Sequence, residues 1–322
     1  MAITQTSAVY PTAGKEFQEA TGKIDYQMTN DYMFHAALQK NPKVLKSLAC
    51  SLLRLRQREV RSIQIINPII LGEAVDDKTF ILDINVLLND NTLINLEMQV
   101  ENLYNWEERS LSYLCRTFDQ LQKGEEYSVA KPVVHISFLD FTPFPEFPEF
   151  YASYKLMNEK NYHIYSDKLT LRVVDLKQAG LATEEDQASG LDHWARLFKA
   201  VTWEEIRMIA KQDENLLEAS ETLYTLNADE LVRRQCEARA DYYRLHNSIN
   251  RRMEELLLER QNAVEENEKL NSEIQNLNSE VQNFNLEVQN LNLEIDTLKS
   301  KNQEKDLLIK QLKAQLEEKN KG

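Results

Sequence analysis

The chain has 322 residues, with 38 Lys and Arg against 52 Asp and Glu, for a formal net charge of −14. That length is enough to bury a full core, and the acidic balance excludes a protein that coats nucleic acid over its whole surface, so any nucleic-acid contact must be local. Its seven Gly form no GxGxxG or GxxxxGK, its five His no HExxH and its three Cys no CxxC, which excludes dinucleotide fingerprints, P-loops, zincin sites and Cys-based zinc clusters.

Residues 1–23 are polar and patternless and read as a loose N-terminal segment. From Asn30 to Arg58 the pattern is helical, interrupted near Asn41-Pro42. Ile63–Leu71, Thr79–Asn89, Thr92–Glu101 and Pro132–Leu139 read as strands, with a helix over Trp106–Lys123 and a further strand pair within Tyr162–Leu176. The Pro-spaced segment Phe141–Phe150 reads as extended, either a loop that packs its rings on the sheet or an SH3-type ligand. From Thr183 onward the pattern is helical, anchored by Trp194, Phe198 and Trp203. The expected divisions are therefore a mixed α/β domain over 24–180, a helical extension over 181–240, and a long helix with coiled coil over 241–322.

The tail carries heptads. Leu270, Leu277, Phe284, Leu291 and Leu298 occupy d positions, and Ile274, Val281, Val288 and Ile295 occupy a positions, a combination that favours parallel dimers. Asn302 and Lys305 interrupt the seam before Ile309, Leu312 and Leu316. A parallel pair matches Glu294 with Lys299 and Lys301 with Asp306, whereas antiparallel pairing would align Glu273, Glu280, Glu287 and Glu294 as like charges. A homodimer through this segment is expected. Widely spaced Cys and the lack of an 18-residue apolar run point to a cytoplasmic chain with no membrane partner.

The second and third predicted strands alternate cleanly. Phe80, Leu82, Ile84, Val86 and Leu88 share one face of the second strand, leaving Asp83, Asn85 and Asn89 on the other; Ile94, Leu96, Met98 and Val100 leave Asn95, Glu97, Gln99 and Glu101. Directly paired residues of an antiparallel hairpin share a face, so even positions pair with even and the loop holds an odd number of residues. A loop of Asn89, Asp90 and Asn91, with Asn tolerating the left-handed conformation, pairs residue 83 with residue 97 and brings two carboxylates within roughly 5.5 Å at Cβ. Such a pair repels unless a cation or proton relieves it, and oxygen donors suit Mg²⁺ or Mn²⁺. The other reading is the polar, solvent-facing side of an ordinary hairpin.

Asp83, followed by Glu97-Met98-Gln99, resembles the D…ExK core of the PD-(D/E)XK nuclease superfamily, in the D…ExQ form of its recombination-promoting nuclease and putative transposase family. Thr29-Asn-Asp-Tyr-Met-Phe34 is similar to that family's opening helix, and Ile81-Leu-Asp-Ile84 and Ile94-Asn-Leu-Glu-Met-Gln99 to its motif strands. Arg109-Ser-Leu-Ser-Tyr113, Gly124-Glu-Glu-Tyr127 and Pro132-Val-Val-His-Ile136 follow in the family's order, and Trp194-Ala-Arg-Leu-Phe198 through Arg239 resembles its helical extension. The resemblance covers roughly residues 24–255. It implies a restriction-endonuclease-like mixed sheet flanked by helices, and a Mg²⁺-dependent DNA endonuclease. In that reading Asp83, Glu97 and the Met98 backbone carbonyl hold the metal while Gln99 orients the attacking water. Two positions depart from the pattern: Gln99 stands where the superfamily usually has Lys, and His35 where the opening helix usually has Lys.

Other candidates keep two readings each. Asp31 is either an accessory acid or a helix cap. Arg109 and Tyr113, one helical turn apart, either lean over the cleft or pack beneath the sheet. Arg54, Arg56, Arg58 and Arg61 are either phosphate contacts or a solvated helix end. His135, Cys50 and Cys115 read as core. The rival function is a degenerate nuclease fold that acts as a coiled-coil interaction protein, because residues 1–260 alone carry 30 basic and 40 acidic side chains.

Overall fold

The computed structural model describes residues 14–69, 83–102, 104–119, 121 and 123–319. Helix α1 spans Gly14–Glu19, and the Asn-Pro break falls between α2 (Asp31–Lys40) and α3 (Pro42–Leu53). Asn30 caps α2 by accepting from the Met33 amide, and Asn41 caps α3 by accepting from the Lys43 amide. Pro42 sits in the first turn, where its missing N–H leaves no bond unmade.

Six strands form one sheet: β1 (Ile63–Ile65), β2 (Ile84–Leu88), β3 (Thr92–Gln99), β4 (Val133–Leu139), β5 (Tyr151–Lys155) and β6 (Leu169–Asp175), in the order β1-β2-β3-β4-β6-β5. The central pairs β3–β4 and β4–β6 are parallel, and the flanking pairs are antiparallel. This is the mixed α/β sheet the sequence implied, with three differences. The strand expected over Ile63–Leu71 stops at Ile65, with residues 70 and 71 outside the described residues, as are 79–82 of the next. The strand pair expected within Tyr162–Leu176 is a single strand, β6. Its antiparallel partner is β5, an edge strand whose Ser153, Tyr154 and Lys155 are exposed, so it shows no alternation in sequence.

The two faces of the sheet differ. Ile84, Val86, Leu88, Ile94, Leu96, Met98, Ile136, Phe138 and Val174 join the main core with α2, α3 and, from the helical extension that begins with α5 (Glu184–Ala188), the helices α6 (Leu191–Lys199), α7 (Trp203–Ala210) and α8 (Glu214–Ala228). Phe34, Phe138 and Phe198 meet edge to face there, with centroids 5.3–5.7 Å apart. Trp194, Phe198 and Trp203 are buried in that core. Helix α4 (Trp106–Phe118) covers the opposite face and closes two small apolar clusters. One is built around Leu93, Leu114 and Val133, and the other around Trp106, Leu139 and Val173. Between them lies a polar strip: Asn95, Glu97, His135 and Ser137.

Helix α9 runs from Glu230 to Lys319. The chain divides into two compact units, Met1–Leu245 and His246–Gly322. In the second unit the heptad residues from Leu270 to Leu298 remain 46–66 % exposed in the single chain. Among the described residues no helix is long and apolar enough to cross a membrane.

Candidate active site

The β2–β3 turn sets the site. Asn89 and Asp90 adopt φ of 50° and 58°, the left-handed conformation that Asn and Asp tolerate best after Gly. The Asn89 side chain accepts from the Arg61 and Ser62 amides at 2.7 and 3.2 Å and donates to the Glu59 carbonyl at 2.8 Å, which fixes the turn to the chain entering β1. The ladder runs from Leu88–Thr92 to Ile84–Leu96, so the loop holds three residues and the next step sets Asp83 across from Glu97.

Asp83 accepts from Asn95 Nδ2 at 2.6 Å and, more distantly, from Asn85 Nδ2 at 3.4 Å. Glu97 is 2 % exposed; its Oε1 lies 2.6 Å from Arg109 Nη2 and its Oε2 lies 3.6 Å from His135 Nε2. The Arg109 contact is close but poorly aligned, and neither Glu97 oxygen has a well-directed hydrogen bond among the described residues. Burial raises the pKa of both carboxyls. The Asp83 charge raises that of Glu97 further, while Arg109 opposes the rise.

Both readings of the α4 pair hold together. Tyr113 is buried and stacks on His135 with centroids 6.0 Å apart, and the Arg109 guanidinium lies over the Tyr113 ring at 5.5 Å while reaching Glu97. His135 is buried, but its surroundings are polar rather than apolar: Nδ1 meets Asn95 Oδ1 at 2.5 Å and Nε2 meets Ser137 Oγ at 2.9 Å. Burial, with Arg109 nearby, pushes its pKa down to about 3 and keeps the ring neutral. Sequence reasoning missed this role because it depends on the parallel β3–β4 register, Asn95 beside His135 and Glu97 beside Ser137, which no short turn dictates. Cys115, expected in the core, is exposed, while Cys50 is buried. Arg116, a turn beyond Tyr113, is exposed and lies close enough to lower the Asp83 pKa.

Other sequence candidates lie apart. Asp31 is the first residue of α2, the cap being Asn30, and its carboxylate is bound by Arg239 Nε, at 3.0 Å from each oxygen, by Arg239 Nη2, and by the Tyr243 hydroxyl at 2.8 Å. Arg54 pairs with Glu185 and Asp186 and lies over Tyr151, whose side chain is on the α3 side of the sheet, opposite the carboxylates. Arg56 pairs with Glu59. Arg58 and Arg61 lead into β1 near the hairpin turn, so the length of β2, at about 3.3 Å per residue, separates them from Asp83. The arginine run is not brought to the cleft.

The acceptors suit a hard divalent cation. Gln99 Nε2 donates to the Glu101 carbonyl at 3.0 Å, while among the described residues its buried Oε1 has no donor and the Glu97 oxygens have no well-directed one. The Gln99 carbonyl accepts from the Asp140 amide on the β4 side; carbonyls alternate along a strand, so that of Met98 points to the side where Asp83 lies. Among the described residues no three His, Cys, Asp or Glu side chains converge. Two carboxylates and a carbonyl fit an ion such as Mg²⁺ that keeps several waters.

Residues 28–252, more than half of the chain, match the family described as PD-(D/E)XK nuclease family transposase. The chain belongs to this family. The match contains Asp83, Glu97 and Gln99 and gives the protein a nuclease or transposase type of function. No curated protein and no solved structure matches the chain.

Proposed function

We propose that this nuclease-family protein is a metal-dependent DNA endonuclease, cytoplasmic and dimeric through its C-terminal helix. The observation that carries this reading is the pair Asp83, one residue before β2, and Glu97 in β3, which the β2–β3 register extended by one step sets across from each other, with both carboxyl pKa values raised by burial. Asp83, Glu97 and the Met98 carbonyl would hold Mg²⁺ or Mn²⁺, which when bound would supply charge neutralisation and an acidified water for phosphodiester hydrolysis. Gln99 Oε1, lacking a donor, accepts a hydrogen bond from the attacking water and orients its lone pair. Gln99 cannot supply the charge of the usual Lys, and Arg109, in contact with Glu97, is a cation placed to do so. Arg116 adds a second guanidinium on the same face of α4, suited to a flanking phosphate.

The Glu97–Arg109 pair also favours a second reading, in which an internal ion pair replaces the metal and the fold serves the coiled coil. Plasmid DNA incubated with Mg²⁺, with EDTA and with Asp83→Ala separates the two. Mg²⁺-dependent cleavage lost in Asp83→Ala is expected. DNA binding without cleavage at any divalent ion concentration would favour the interaction protein.

A further inference from the structure

Asp83 stands at one end of a hydrogen-bond chain whose direction is fixed by chemistry. An ionised carboxylate only accepts, so the Asn95 group 2.6 Å from Asp83 Oδ2 is its NH₂, which also donates to Asn85 Oδ1 at 2.8 Å. Asn95 Oδ1 is left facing His135 Nδ1 at 2.5 Å and can only accept, which places the imidazole proton on Nδ1. Nε2 of the same ring meets the Ser137 hydroxyl at 2.9 Å. Asn95, His135 and Ser137 are each 0 % exposed, so water does not compete for these bonds.

The same Nε2 lies 3.6 Å from Glu97 Oε2. We infer that Asn95 and His135 are positioning residues for cation binding. Asn95 orients the Asp83 carboxylate through its NH₂, and the His135 Nδ1–H holds the Asn95 amide in the sense that turns that NH₂ to Asp83. The inference rests on the reading of Asp83 and Glu97 as metal ligands. Partners of this kind, behind the ligands, typically change metal affinity by about 10–100-fold.

The test uses full-length protein and Mn²⁺ alone, with binding read from the loss of the free-ion EPR signal and from the melting shift. Wild type, Asp83→Asn, His135→Leu, His135→Asn and Asn95→Ala are compared. Asn at 135 can place an amide N–H near the Nδ1 position and restore the bond to Asn95. Asp83→Asn should abolish the response. His135→Leu should weaken Mn²⁺ binding about 10–100-fold, and His135→Asn should return to within about threefold of wild type. Asn95→Ala cuts the same link from the other side and stands in if His135→Leu does not fold. Equal responses in wild type and Asp83→Asn would overturn the metal-site reading itself. A response present in wild type, lost in Asp83→Asn, but undiminished in His135→Leu or Asn95→Ala would overturn the positioning role alone. So would a His135→Asn variant as weak as His135→Leu.

Discussion

Arg109 Nη2 stands 2.6 Å from Glu97 Oε1, so the candidate metal site already contains a cation of its own. A divalent ion bound to Glu97 must displace the guanidinium or share the carboxylate with it. With a quarter of its side chain exposed, Arg109 can rotate toward solvent or toward a phosphate, whereas Glu97 is held in the sheet. The pair would therefore stabilise the metal-free protein and compete with a metal bound at Glu97.

Arg109→Met should accordingly lower the melting temperature without metal, because it strands a buried carboxylate beside Asp83; the cost is about 3 kcal/mol, the low end for breaking a buried pair, given the partial exposure of Arg109. The stabilisation by Mn²⁺ should grow relative to wild type, since no side chain need be displaced. Melting curves with and without Mn²⁺ check both statements. A smaller metal response in the variant would mean that Arg109 assists binding instead.

The hairpin was legible because parity and turn chemistry are local: alternation from Ile84 to Met98 requires an odd loop, and Asn89 and Asp90 tolerate positive φ. The break at Asn41-Pro42 was legible because it too is local, whereas the cap of α2 is Asn30 and not Asp31. The Asn95–His135–Ser137 chain was illegible, because it joins residues 40 apart through a parallel register set by the crossover over α4. Asp31 was ambiguous for a similar reason. Its partner Arg239 is 208 residues away and lies in a helix whose heptads, not its first turns, dominate the pattern.

The two buried imidazoles predict acid sensitivity. His35 is 1 % exposed with no well-directed bond to either nitrogen among the described residues, and burial lowers its pKa to about 4; that of His135 falls to about 3. Between the unfolded value near 6.5 and these folded values, the unfolded chain binds more protons than the folded one. Stability is therefore full above about pH 6.5 and falls as the pH drops towards 4 and 3, by at most about 3 kcal/mol for His35. Asp83 and Glu97, with raised folded values, act in the opposite sense and return part of the loss. His35→Leu should melt at a temperature that declines less between pH 7 and pH 5 than that of wild type. Parallel declines would show that His35 is not held neutral by the fold.

Asn89 combines a left-handed backbone with three side-chain bonds to the chain entering β1. Asn89→Gly keeps the backbone freedom and loses the bonds; Asn89→Ala loses both, and the left-handed conformation adds about 1 kcal/mol for a residue with Cβ. Denaturant titration should thus find Asn89→Ala less stable than Asn89→Gly by about that amount. Equal losses would place the whole contribution in the side-chain bonds.

The heptad stripe leads to the last expectation. A lone helix exposing Leu277, Phe284 and Leu291 by 53–66 % leaves a continuous apolar seam in water, and pairing with a second copy is the arrangement its a and d residues favour. Sedimentation equilibrium at micromolar concentration should give a dimer for the full chain and a monomer for Leu277→Lys/Leu291→Lys. Direction can be read separately, because the native Cys50, Cys115 and Cys236 all precede the second unit and only Cys115 is exposed. In a Cys115→Ser background, Asn302→Cys sits at an a position that meets its own copy in a parallel pair, within the roughly 4.4–6.8 Å Cα separation a disulfide spans. Mild oxidation should convert it to a covalent dimer on a non-reducing gel. In an antiparallel pair the two cysteines face other residues, so a dimer by sedimentation that resists this cross-link would overturn the parallel assignment, and a monomeric wild type would overturn the coiled-coil dimer itself.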